Sequence, residues 1–182
     1  GPLPSFTVLH ALKALSVLGE AGCIGRAALS RRLGLGEGAV RTLVSKLAKE
    51  GLIKISKRGC ELAERGEALL ASISSRLARK SSVGRTSASF CEHGFAILVK
   101  GGAVRVRLGV EQRDEAVRAG ARGALVLVYK GGRLEMPGVS RDVKKDFPDL
   151  FEEVMRSLGP EEGDAVVIAY ADDALTAEYG AL

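Results

Sequence analysis

The chain has 182 residues, 46% of them hydrophobic, enough to bury one large core or two small ones, and two domains are expected. Its net charge of +5 is uneven: residues 1–84 carry 14 Lys and Arg against 6 Asp and Glu, while residues 85–182 carry 13 against 16, so the first half is the one suited to a polyanion. No apolar run approaches the roughly 20 residues of a membrane-spanning helix, and three scattered cysteines (Cys23, Cys60, Cys91) without a CxxC pair indicate neither a disulfide framework nor a zinc site, so a cytoplasmic location is expected.

Residues 5–20 place Val8, Leu9, Leu12, Leu15 and Leu18 at helical spacing, with Ser5 positioned to cap the first turn. His10 lies inside this helix without a second ligand-type residue four positions away, and no role is assigned to it. Residues 25–33 form a second helix that turns Ala28, Leu29 and Leu33 inward and carries Ser30, Arg31 and Arg32 at its outer end. The turn Gly34, Leu35, Gly36 leads to a third helix over 37–50 with Val40, Leu43, Val44 and Leu47 on one stripe. Its opposite stripe is Arg41, Thr42, Ser45, Lys46 and Lys49, all hydrogen-bond donors and none acidic. Gly51 stops the helix. Residues 52–56 and 60–62 are then strands of a short hairpin turned by Lys57, Arg58 and Gly59, and residues 63–79 an amphipathic helix with Leu69, Leu70, Ile73 and Leu77 on one side, weakened modestly by Gly66. The stretch 80–89, poor in large apolar residues, is expected to be a linker.

Two helices joined by a short Gly-containing turn have the spacing of a helix-turn-helix, whose second helix enters the major groove N-terminal end first. Arg41, Thr42 and Ser45 are then the candidates for base contact. Lys46, Lys49, Lys54, Lys57 and Arg58, with Arg31 and Arg32, are the candidates for phosphate. The order of elements over 5–79, and above all GLIKISKRGCELAERGEALL as strand, wing, strand and helix, resembles the winged-helix transcription regulators. That resemblance implies double-stranded DNA as partner and a homodimer as the binding form.

From residue 90 the pattern changes to strands with interleaved helices. Residues 95–100 and 103–108 flank Gly101-Gly102, and residues 124–130 and 133–136 flank Gly131-Gly132; both are expected to be tight hairpins. Similar phrases follow each, before helices over 114–119 and 143–158, which suggests a degenerate duplication of hairpin plus helix. Residues 163–171 close the sheet and residues 172–182 form a terminal helix started by Asp172 and Asp173. The fold class is α+β: a winged helix over 5–79, then an effector-binding or dimerisation domain over 90–182. The stretch RDEAVRAGARGALVLVYKGG is similar to archaeal two-domain winged-helix regulators whose C-terminal domain is uncharacterised.

Little chemistry is legible in this second half. Cys91 and His93 are half of a metal site at most, neither GxxxxGK[ST] nor GxGxxG occurs, and no nucleophile and base can be paired, so no catalytic residue, metal or cofactor is expected. Arg113, Asp114, Arg141 and Asp142 recur beside strand ends and are candidates for holding a small polar or anionic effector. The expected function is a DNA-binding transcription regulator. A winged helix that docks a protein of the transcription or RNA machinery, and a small-molecule enzyme carrying a regulatory winged helix, are the alternatives.

Overall fold

In the computed structural model, which describes residues 6–182, the apolar stripes of the first three helices meet in one core. Helices α1 (Val8–Ala21), α2 (Arg26–Leu33) and α3 (Glu37–Lys49) bury Leu15, Leu18, Leu29, Leu33 and the whole inward set of α3, Val40, Leu43, Val44 and Leu47. Ser5 lies outside the described residues; Thr7 takes the N-cap position of α1, and its backbone N–H donates to His10 Nδ1 at 3.0 Å. His10 therefore closes the first turn, as a Glu or Gln does in a capping box. Gly34, at φ 65°, ends α2 in the left-handed conformation that glycine adopts freely. Ser30 Oγ then donates to the Leu35 carbonyl while the Leu35 N–H donates to Ser30 O, and Leu35 packs on the core, which fixes the angle at which α3 leaves α2.

After α3 the chain forms a small antiparallel sheet of β1 (Cys23–Ile24), β2 (Ile53–Ser56) and β3 (Gly59–Leu62) in the order β1-β3-β2. Ser56 pairs with Gly59, so Lys57 and Arg58 are the two turn residues. Helix α4 (Glu64–Arg76) follows. The chain divides into two compact units, one ending at Ser74 and one beginning at Ser75.

The helix expected over 63–79 stops at Arg76, and the expected linker is corrected in its first part: Leu77–Val83 is a strand, β4, paired along β5 (His93–Val99). The polar composition that suggested a linker is the composition of an edge strand, with Val83 turned into the core and charged Arg79 and Lys80 exposed. Residues 84–92 alone remain irregular before β5.

The second unit is a five-stranded antiparallel sheet, order β4-β5-β8-β6-β7, with β6 (Gly123–Lys130), β7 (Arg133–Glu135) and β8 (Ala165–Ala171). Of the two expected hairpins, the one turned by Gly131-Gly132 is present. The one at Gly101-Gly102 is not: both edges of β5 are occupied, by β4 and β8, so residues 103–108 have no strand to join. They form instead a 3-10 turn (Gly102–Arg105) and a loop that leads into α5 (Val110–Arg118), and the suggested duplication of hairpin plus helix goes with the missing hairpin.

Helices cover both faces of the sheet. Ala96, Leu98, Leu127, Val166, Ile168 and Tyr170 face α6 (Val143–Asp146) and α7 (Pro148–Ser157). Ile97, Ala124 and Ala169 face α5 and α8 (Ala174–Ala181). The helix expected over 143–158 is two helices, because Pro148 at the start of α7 cannot continue α6. Asp173 caps α8 by accepting from the Thr176 N–H at 2.8 Å, while Asp172 forms a two-pronged pair with Arg122, so the two aspartates do different work.

Candidate nucleic-acid interface

The turn at Gly34 to Gly36 and the buried stripe of α3 together decide what α3 shows to solvent. Residues Arg41, Ser45 and Lys49 follow at i, i+4 and i+8, flanked by Thr42 and Lys46, and all five are exposed. The side chains of Arg41, Ser45 and Lys49 have no hydrogen bond or ion pair among the described residues. Gly36, the N-cap of α3, makes no side-chain cap bond, so the first backbone N–H groups of the helix stay open at its positive end.

Two members of the stripe are already engaged. Thr42 Oγ1 donates to the Gly38 carbonyl at 3.1 Å, so the hydroxyl proton expected for a base edge is in use and what remains outward is acceptor and methyl. Lys46 Nζ lies 5.4 Å from the centroid of the Phe6 ring and remains exposed. Gly38 was not legible as a site residue from the sequence. It stands at the N-terminal end of the same stripe, exposed, and a Cβ there would meet nothing, so no packing requirement accounts for a glycine.

The other expected phosphate contacts divide. Arg31 is exposed in the last turn of α2, but Arg32 is held by Glu20 at the end of α1, Nη2 to Oε2 2.8 Å. Lys57 and Arg58 are exposed at the hairpin tip, where the Arg58 N–H donates to Ser56 Oγ at 3.1 Å and shapes the turn. Lys54 is a correction. It pairs in register with Glu61, on the hairpin face opposite buried Ile53 and Cys60, and lines a cavity of about 690 Å³ together with Leu18, Leu70 and Glu67. Strand alternation therefore separates it from the α3 row. Cys60 belongs to the core beneath the hairpin, where burial pushes its thiol up.

The four residues offered as an effector site are not brought to one pocket. Arg113 and Asp114 stand exposed on α5, which packs on one face of the second sheet, while Arg141 precedes α6 on the other face. Asp142 caps α6 by accepting from the Lys145 N–H at 3.4 Å. Among the described residues no group of three or more His, Cys, Asp or Glu is arranged to hold a metal ion, and Cys91 and His93 gain no third ligand. No described helix is long and apolar enough to cross a membrane.

A family model described as "Domain of unknown function (DUF4443)" matches residues 90–182, and one described as "PH0730-like, N-terminal domain" matches residues 10–68. The chain belongs to the DUF4443 family. Among solved structures, this DUF4443 protein is similar to the hypothetical protein PH0730 from Pyrococcus horikoshii OT3, at 31% identity and a TM-score of 0.73, over 97% of this chain and 89% of that one. No curated protein matches. The DUF4443 match begins at residue 90, whereas the sheet to which it belongs also takes in β4, contributed by residues ahead of it.

Proposed function

We propose that the protein is a DNA-binding transcription regulator whose first unit is a winged helix. The observation that carries this reading is the unpaired row of Arg41, Ser45 and Lys49 on a helix whose other stripe is wholly buried. Arg41 and Ser45, in the N-terminal half of α3, reach base edges in the major groove, an arginine being suited to a guanine by two parallel donors. Lys46, Lys49 and Arg31 hold phosphates, and the open N–H groups at the start of α3 donate to another phosphate oxygen. In this reading the tip Lys57-Arg58 is the wing and touches the backbone. The second unit brings two copies together, so that paired recognition helices match a symmetric site.

A pool of random duplexes, selected through several rounds against the full chain, tests this. Recovery of one repeated motif, lost when Arg41→Ala replaces the wild type, supports sequence-specific binding. Recovery of no motif, together with salt-insensitive affinity, favours a winged helix that docks a protein. Lys54→Ala serves as the internal control and leaves the motif and the affinity unchanged, because Lys54 faces the cavity with Glu61 and Glu67.

A further inference from the structure

Helix α5 has two apolar residues on the wrong side. Its inward residue is Ala116, buried against the second sheet, whereas Val110 and Val117 are 43% and 49% exposed. Seven residues is two turns, so the two valines share one outward stripe, with Arg113 and Asp114 between them. Leu108, just ahead of α5, is 66% exposed and lies 3.8 Å from where a Cβ on Gly138 would stand, next to Val139, which is 67% exposed. Of the nine large hydrophobic residues exposed among the described ones, four thus fall on this helix and the two turns beside its N-terminal end, a concentration that scattered surface residues do not produce.

We propose that this surface is where a second copy of the same chain docks, with α5 lying antiparallel to α5 of the partner about a twofold axis between Arg113 and Asp114. The charges select that occupant. A twofold axis makes residue i meet j while j meets i. Centred here, it sets Val110 against Val117 of the partner twice, and Arg113 against Asp114 of the partner twice. Among the described residues neither Arg113 nor Asp114 has an ion pair, unlike their neighbours Glu115 and Arg118, which pair with each other. A polyanion or an anionic membrane would be met by Glu111, Asp114 and Glu115 on the same helix. Leu108 and Val139 extend the contact past the end of the partner helix. Arg113 and Asp114 then rim an interface rather than hold an effector. The inference rests on the proposed joining of two copies by the second unit and names its surface, and its test is separate from that of DNA binding, since self-association is measured without nucleic acid.

Light scattering on the eluting full chain, at micromolar concentration, tests it. The wild type should have a mass near twice the 19.1 kDa of one chain. Arg113→Asp and Asp114→Arg each set like charges against each other across the axis, and each should weaken the dimer by about tenfold or more. The double charge exchange should restore it, which a folding defect would not, and Val117→Glu should give monomer beyond rescue. A monomeric wild type, single variants as dimeric as the wild type, or a double exchange no better than either single would each overturn the proposal.

Discussion

Arg32 Nη2 donates to Glu20 Oε2 at 2.8 Å, joining the last turn of α2 to the end of α1, with both side chains more than half exposed. One of the cations read as a phosphate ligand thus already has a carboxylate partner, and that partner would also repel DNA. Glu20→Gln should raise affinity for any duplex by roughly two- to threefold at low salt, because it frees Arg32 and removes one like charge to the phosphates. Anisotropy titrations on unrelated duplexes check this; an unchanged affinity would show that Arg32 faces away from the nucleic acid.

Gly66 is the position at which propensity and packing give opposite signs. An alanine in the first turn and a half of α4 should stabilise the helix by about 1 kcal/mol if propensity alone decided. The structure places the Leu52 carbonyl oxygen 2.0 Å from where the added Cβ would stand, and that oxygen is already fixed by the Ala63 N–H at 2.9 Å. Overpacking therefore wins, and Gly66→Ala should destabilise the first unit by about 1–3 kcal/mol. The urea midpoint of the full chain, followed by a probe in the first unit, reports it; a raised midpoint would mean that α4 does not approach Leu52 this closely.

Local features of the fold are plain in the amino-acid sequence, and features that need a distant partner are not. The inward stripe of α3 and the two-residue tip at Lys57-Arg58 were legible because periodicity and turn chemistry are local. The strand at Leu77–Val83 was not, because an edge strand with polar residues becomes a strand only through its partner, and β5 lies ten residues further on. Gly101-Gly102 looked like Gly131-Gly132, yet only the second pair had a strand with a free edge to return to. The engagement of Arg32 likewise depends on a partner twelve residues away, Glu20, that no spacing rule names, whereas the Thr42 bond to the carbonyl four residues back is local. The candidate site was therefore visible as a stripe and a turn, and its membership was trimmed by local partners at Thr42 and Lys54 and by a tertiary one at Arg32.

His10 gives the first unit a dependence on pH. Burial holds its imidazole below the ordinary histidine value, and its Nδ1 accepts the Thr7 N–H, which only the neutral ring can do. The unfolded chain then takes up the proton before the folded one. Its contribution is present above the ordinary value near 6.5 and is lost as pH falls through that value towards the lower folded one. His10→Gln keeps an acceptor at this position without a titrating ring. Between about pH 7.5 and about pH 5.5, a span that brackets the ordinary histidine value, the wild type should lose more of its denaturant midpoint than His10→Gln. Parallel curves for the two proteins would contradict the capping role.

The measurement closest to the central claim is the affinity of the full chain for its selected duplex and for a scrambled one, followed over a range of salt for the wild type, Arg41→Ala and Lys57→Ala. Arg41→Ala should cost about 1–3 kcal/mol on the selected duplex and much less on the scrambled one, while Lys57→Ala should weaken both alike and reduce the salt slope by roughly one. Equal losses on both duplexes for the two variants, or no salt-dependent binding by the wild type, would contradict a helix that reads bases beside a tip that holds phosphate.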